Sequence, residues 1–127
     1  MKKLFLLSVL IMLFALTTNA QTPYPKFLTT THDFGSIGED SGTVTTRFEF
    51  TNDGDAPLII KWISASCGCT TSDWTREPIP PKGKGFINVS YNPKGRPGVF
   101  TKTISVRSNS SDQPIALQVK GTVTSTM

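Results

Sequence analysis

Turn-forming residues recur along this chain at short intervals and leave room only for short elements between them. Asn, Asp, Gly and Pro dominate the runs 52–55, 80–83 and 92–98. The segments between these runs are rich in Thr, Val, Ile and Phe and show no sustained helical period. Short β-branched and aromatic segments bounded by turn residues are typical of an all-β sandwich or barrel.

The segment 43–51 gives the clearest strand pattern. Phe48 and Phe50 fall on one face of an extended chain, whereas Arg47 and Glu49 fall on the other. Strict alternation of this kind indicates a strand with one face in the core and the other in water.

Similar segments predict about seven antiparallel strands between residues 27 and 124, which fits an immunoglobulin-like β-sandwich. We expect 58–63 to be a central strand with Trp62 in the core, and the segment from Cys67 through Trp74 to be an irregular loop. The Cys–Trp–Cys spacing of antibody domains is absent. The remaining strands are predicted at 27–34, 87–91, 99–106 and 115–123.

The N-terminus has the pattern of a secretory signal peptide. Lys2 and Lys3 precede an apolar run at 4–16, and small residues end at Ala20. The run is shorter than the ~20 residues that a membrane-spanning helix needs. We therefore predict cleavage after Ala20, a periplasmic or secreted protein with no membrane span after cleavage, a lead-in at 21–26 and a short tail at 125–127.

The charge of the chain gives no support for nucleic-acid binding. The whole sequence has 13 Lys and Arg against 9 Asp and Glu. Two of the lysines belong to the predicted signal peptide, so its removal leaves a nearly balanced chain. We expect no nucleic-acid partner.

The only two cysteines, Cys67 and Cys69, are separated by one glycine. In an extended strand, residues two apart lie about 6.6 Å apart at Cα and point the same way. A disulfide needs its Cβ atoms about 3.8 Å apart. A bridge within this pair therefore requires a bend, which Gly68 would permit, and we expect such a bridge to be strained and easily reduced.

Four interpretations of the cysteine pair remain open. The thiols are small apolar side chains at the end of a core strand, or an exchanging dithiol. They could also hold a soft metal such as Cu(I) or Zn, or form a disulfide to another protein. A mononuclear zinc site usually has four ligands, so zinc would require a second chain.

Five further side chains are candidates for contact with a partner. Trp74 follows the cysteines and is expected either to contact a partner or to fold back on the core. The basic side chains occupy two Gly- and Pro-rich turns and could form a rim that meets an acidic partner, or could simply keep those turns solvated. They are Lys82, Lys84, Lys94 and Arg96.

The sequence contains no pattern that indicates an enzyme. His32 is the only histidine and is expected at the surface, and no Gly-x-Ser-x-Gly string accompanies it. No glycine-rich motif for phosphate binding is present, and we expect no organic cofactor.

Seven short motifs follow one another along the chain. They are Asp33-Phe34-Gly35-Ser36-Ile37, Phe48-Glu49-Phe50-Thr51-Asn52-Asp53-Gly54, Pro57-Leu58, Ser66-Cys67-Gly68-Cys69-Thr70, Ile79-Pro80-Pro81-Lys82-Gly83, Gly98-Val99-Phe100 and Gly121-Thr122-Val123. In order and spacing they resemble those of the bacterial "domain of unknown function" family numbered 1573. The resemblance covers residues 33–123 and implies an exported immunoglobulin-like domain, distantly related to β-sandwich domains of eukaryotic ciliary and centrosomal proteins. It implies no particular activity. One departure is Pro81-Lys82-Gly83, where a Pro-Gly turn is more usual in the family.

These features together predict a non-enzymatic binding or structural module of the bacterial envelope that contacts a protein or another envelope component. The alternative is a redox or soft-metal protein whose working atoms are the sulfurs of Cys67 and Cys69.

Overall fold

The computed structural model describes residues 21–125, so the predicted signal peptide at 1–20 lies outside the described residues. Within 21–125 the chain has no helix, and hence none that is long and apolar enough to cross a membrane. The strands are β1 (Pro25–Phe27), β2 (Thr31–Gly38), β3 (Val44–Asn52), β4 (Ile60–Ala65), β5 (Cys69–Trp74), β6 (Lys84–Tyr91), β7 (Gly98–Ser108) and β8 (Ser111–Thr124).

The strands form two four-stranded sheets, in the orders β1-β3-β6-β5 and β2-β8-β7-β4. All neighbours are antiparallel except β2, which runs parallel to β8. Side chains from both sheets share one hydrophobic core. The predicted all-β sandwich is therefore confirmed, with eight strands instead of about seven.

Alternation of apolar and polar residues accounts for the central strands. In β3, Phe48 and Phe50 are buried while Arg47 and Glu49 are exposed, as predicted. In β8, Leu117 is fully buried, in line with the predicted inward face of that strand. Alternation alone was sufficient here because both strands lie between two neighbours in their sheets.

Two predicted strands are wrong in part. The predicted strand 27–34 is two strands, because the chain leaves the first sheet after Phe27 and enters the second at Thr31. The predicted central strand 58–63 is β4, at the edge of its sheet. Trp62 is 53% exposed instead of in the core, because an irregularity between Ile60 and Trp62 shifts the alternation.

The predicted loop after the cysteines is also wrong, because Cys69–Trp74 forms the edge strand β5. It pairs with β6, with a register shift between Thr70 and Asp73. The polar sequence and the shift remove the alternation by which a strand is recognised.

The two ends of the sandwich differ in chemistry. We call the end with the turns at 66–69 and 92–98 the thiol end, and the end with the turns at 52–55 and 80–83 the far end. Asn52 is fully buried at the far end. Its side-chain amide donates to the carbonyls of Ala56, at 2.7 Å, and Ile79, at 2.9 Å, which holds the two far-end turns together.

Candidate functional site

The cysteine pair lies in the turn that joins β4 in one sheet to β5 in the other. The amide of Cys69 donates to the carbonyl oxygen of Ser66 at 3.0 Å, and Gly68 has a φ of +90°. These are the features of a type II turn, which favours glycine at its third position. The chain thus bends at Gly68, the residue that would permit the bend required by a disulfide within the pair.

Gly68 also lies where a side chain has little room. A Cβ atom there would lie 3.0 Å from Cε2 of Tyr91 and 3.2 Å from Nε of Arg96. The amide of Asn92 donates to the carbonyl of Gly68 at 3.1 Å. The cysteine turn is therefore packed closely against the end of β6 and the side chain of Arg96.

Cys67 is exposed, and its sulfur lies 3.7 Å from Nη1 of Arg96, which donates a hydrogen bond to it. Arg96 belongs to a second turn, in which its amide donates to the carbonyl of Pro93 at 3.0 Å and Gly95 has a φ of +73°. The amide of Gly95 in turn donates to Oε1 of Glu39 at 3.1 Å. The backbone that carries the Arg96 side chain is thus held in a hydrogen-bonded turn.

Cys69 is half-buried, packs against the core and lies opposite Tyr91 in the pairing of β5 with β6. Burial raises the pKa of the Cys69 thiol. Lys102 and Arg96 lower this pKa in part, and Cys67 raises it further. The two thiols therefore have different surroundings although one residue separates them.

Lys102 is a member of this site that the sequence reasoning missed. It lies on β7 opposite the buried Val119, on the same face as Phe100 and Ile104, which are also buried. A lysine at an inward position of an alternating strand is the signal that could have identified it, because lysine is rarely buried without a partner.

Tyr91 forms the floor of the site. Its ring stacks on Phe100 with centroids 4.0 Å apart and an interplanar angle of 12°. Burial raises the pKa of the Tyr91 hydroxyl, Arg96 lowers it, and the two cysteines raise it. Tyr91 therefore contacts both Cys69, its partner in the pairing of β5 with β6, and the hydrophobic core at Phe100.

The charges around the thiols are poorly suited to a divalent cation. Two cationic side chains, Arg96 and Lys102, lie close to the sulfurs, and like charge opposes metal binding. Over residues 21–125, no three His, Cys, Asp or Glu side chains are grouped so that they could hold a metal ion. His32 lies on β2, at the opposite edge of the sheet from β4.

The other predicted contact residues are dispersed. Trp74 is half-buried and packs on the core, with the guanidinium carbon of Arg76 3.4 Å from its ring centroid. Lys94 lies at the thiol end in the turn that contains Arg96, but Lys82 lies at the far end, beside Asn52.

Lys84, the fourth predicted basic residue, begins β6 at the far end of the sandwich. It lines an open groove of about 400 Å³ on the outer face of the first sheet, together with Leu28, Arg47 and Phe86. The four basic residues predicted as one rim therefore lie at opposite ends of the sandwich, with Lys94 and Arg96 at the thiol end and Lys82 and Lys84 at the far end.

Solved structures of other proteins share this fold. A protein of unknown function from Porphyromonas gingivalis W83 has a TM-score of 0.68 and 22% identity, over 86% of this chain and 50% of that one. The Vibrio cholerae VesB protease has a TM-score of 0.60 and 8% identity, over 79% of this chain and 31% of that one. This chain thus spans at most half the length of these two proteins, and the likeness shows a common fold.

Among curated proteins, none matches this chain. The family model described as "Protein of unknown function (DUF1573)" matches residues 25–123, which include every strand and the cysteine turn. Because that match covers most of the sequence, the chain belongs to the DUF1573 family of proteins of unknown function.

Proposed function

We propose that this protein is an exported, non-enzymatic binding or structural module of the bacterial envelope that contacts its partner through the thiol end. The observation that carries the proposal is the group of exposed residues at this end. Cys67, Lys94 and Arg96 are exposed there, and Val99 is 83% exposed. Loops at one end of a β-sandwich are a common place for binding.

The chemistry of this end favours a partner with carboxylates beside a small apolar surface. Lys94 and Arg96 supply positive charge, and Val99 supplies an exposed apolar side chain. Glu39 lies nearby, but its carboxylate accepts the amide of Gly95 and so is partly satisfied within the protein. Exposed charges of this kind mainly guide association and discriminate between partners.

Charge reversal at the two ends tests this proposal. A photoreactive phenylalanine analogue at Val99 of the full chain is used to crosslink its neighbours in intact host cells. We expect Lys94→Glu with Arg96→Glu to abolish the crosslinked product, and Lys82→Glu with Lys84→Glu, which changes the charge equally at other sites, to retain it. Equal loss with both pairs, or no product from the unaltered chain, would contradict the proposal.

Export is a separate part of the proposal and rests on the N-terminal sequence at 1–20. Intact mass of the protein recovered from the cell envelope or medium tests it. We expect a chain that begins at Gln21, and a mass that still includes residues 1–20 would refute cleavage after Ala20.

The contact between Arg96 and Cys67 favours a second candidate function, that of a thiol redox protein. The soft-metal form of this alternative is less well supported, because Arg96 and Lys102 place positive charge beside both sulfurs. Native mass spectrometry with Cu(I) and Zn²⁺ tests it. Binding that is lost in Cys67→Ser and Cys69→Ser would favour the metal form over the redox form.

A further inference from the structure

We propose that Cys67 and Cys69 form a thiol–disulfide exchange site in which Cys67 attacks a disulfide substrate and Cys69 resolves the mixed disulfide. This inference rests on the redox alternative and not on partner binding at the thiol end. The substrate class is an accessible disulfide, either in a small molecule or in a protein.

Exposure determines the order of the two thiols. A substrate disulfide can approach Cys67 from solvent, because this side chain is exposed. Cys69 packs against the core beside Tyr91 and is shielded from a bulky substrate. It is also the near neighbour, across the same bend, of the residue that would hold the mixed disulfide.

Arg96 assists the first step. Exchange proceeds by attack of a thiolate on a disulfide sulfur. The guanidinium of Arg96 donates to the sulfur of Cys67 at 3.7 Å, and a charge-assisted hydrogen bond is stronger than a neutral one. Arg96 therefore acts as a positioning residue that orients the attacking sulfur.

The two steps balance without any further reactant. In the first, the Cys67 thiolate forms a bond to one sulfur of the substrate, and the substrate's own S–S bond breaks, releasing a thiolate that takes up a proton. In the second, Cys69 gives its proton to solvent, its sulfur bonds to that of Cys67, and the bond from Cys67 to the substrate breaks to release the second substrate thiolate, which also takes up a proton. The substrate is reduced to two thiols, and the cysteine pair is oxidised to a disulfide.

Two features of the site make the second step reasonable. Burial raises the pKa of the Cys69 thiol, and Lys102 and Arg96 offset part of that rise. The turn at Gly68 replaces the parallel side chains of a flat strand, which would hold two Cβ atoms too far apart for a disulfide.

Trapping with glutathione disulfide tests the assignment in the purified mature chain, which needs no envelope partner. The reduced chain is mixed with the probe, the reaction is quenched at low pH, and the intact mass of the protein is measured by mass spectrometry. We expect Cys69→Ser to accumulate a glutathione adduct on Cys67, and Cys67→Ser to react at least tenfold more slowly. The unaltered chain should pass through the adduct and end two hydrogens lighter.

A matched pair of variants tests the role of Arg96. Removal of an exposed charge contact usually changes an equilibrium only a few-fold, so Arg96→Gln should slow adduct formation in the Cys69→Ser chain about twofold to fivefold. Lys84→Gln, which removes an equal charge at the far end of the sandwich, should leave the rate unchanged. Circular dichroism of each variant checks that it is folded.

Three results would overturn the inference: equal rates for the two single-cysteine variants, an unaltered chain that stops at the adduct, or equal effects of Arg96→Gln and Lys84→Gln. Brief alkylation of the unaltered chain, with the modified cysteine identified by peptide mapping, provides a test without substitutions, and preferential modification of Cys69 would also contradict the inference. A parallel reaction with insulin distinguishes protein disulfides from small-molecule disulfides as substrates, because a mixed disulfide with an insulin chain would indicate protein substrates.

Discussion

Lys82 has the left-handed backbone conformation that glycine adopts at least cost. Its φ is +68°, the only positive value at a non-glycine residue between 21 and 125. It occupies the third position of the turn 80–83, in which the amide of Gly83 donates to the carbonyl of Pro80 at 2.8 Å. This is a type II turn, where glycine is favoured at that position.

Replacing Lys82 with glycine should therefore stabilise the protein. The left-handed conformation costs a side-chain-bearing residue about 1–2 kcal/mol, of which the greater freedom of glycine in the unfolded chain cancels about 0.5–1 kcal/mol. We expect Lys82→Gly to raise the free energy of unfolding by about 0.5–1 kcal/mol, measured by urea denaturation. Lys84→Gly, an equal substitution within β6, should lower it, and a loss of stability in Lys82→Gly would contradict the interpretation of the turn.

The residue scale also shows which parts of the candidate site the sequence could predict. The bend at Gly68 follows from local spacing, because two cysteines and a glycine determine what the chain can do there. The contact of Arg96 with Cys67 joins two turns that are distant in the sequence. Lys102 on β7 and Cys69 on β5 belong to different sheets, so their approach depends on how the sheets pack, which no local pattern specifies.

At the scale of an element, strand β4 shows the same contrast between what the local sequence predicts and what contacts with distant segments decide. A run that is apolar on both faces predicts a central strand, but β4 lies at an edge and places Trp62 outward beside Arg107. Ile63, the next residue, is buried opposite Val106. The register shift near the start of β4 decides which large side chain enters the core, and hydrophobicity alone cannot reveal such a shift.

The register of β4 predicts that truncating two neighbouring side chains lowers the free energy of unfolding by unequal amounts. Ile63→Ala removes a buried side chain and should lower the free energy of unfolding by about 2–4 kcal/mol. Trp62→Ala removes a larger side chain, but one that is half exposed, and should cost less than about 1.5 kcal/mol. Urea denaturation of the two variants measures the difference. A greater cost for Trp62→Ala would mean that the register of β4 is shifted by one residue.

At the scale of the whole molecule, the thiol end closes the core between the two sheets. Tyr91 from the first sheet stacks on Phe100 from the second, and Cys69 packs at the same seam. Burial raises the pKa of both Cys69 and Tyr91 in the folded chain. Ionisation of either group is therefore coupled to the stability of the entire sandwich.

This coupling predicts that the protein loses stability at alkaline pH. Cys69 and Tyr91 are neutral when protonated, and their ordinary pKa values are 9.0 and 10.0. Above these values the unfolded chain has released protons that the folded chain still holds, so the free energy of unfolding falls as pH rises. The contribution of both groups is complete below about pH 9 and is lost progressively as pH rises from there through the higher pKa values of the folded chain.

Conservative variants separate this effect from the titration of other groups. Tyr91→Phe keeps the ring that stacks on Phe100 but removes the hydroxyl, so its free energy of unfolding should fall less steeply between pH 9 and pH 11, a range set by the two ordinary pKa values. Tyr24→Phe makes the same change at a side chain that is 59% exposed and should leave the slope unchanged. Urea denaturation across this range measures the three slopes. Equal slopes for Tyr91→Phe and the unaltered chain would show that the hydroxyl at the seam is not coupled to folding.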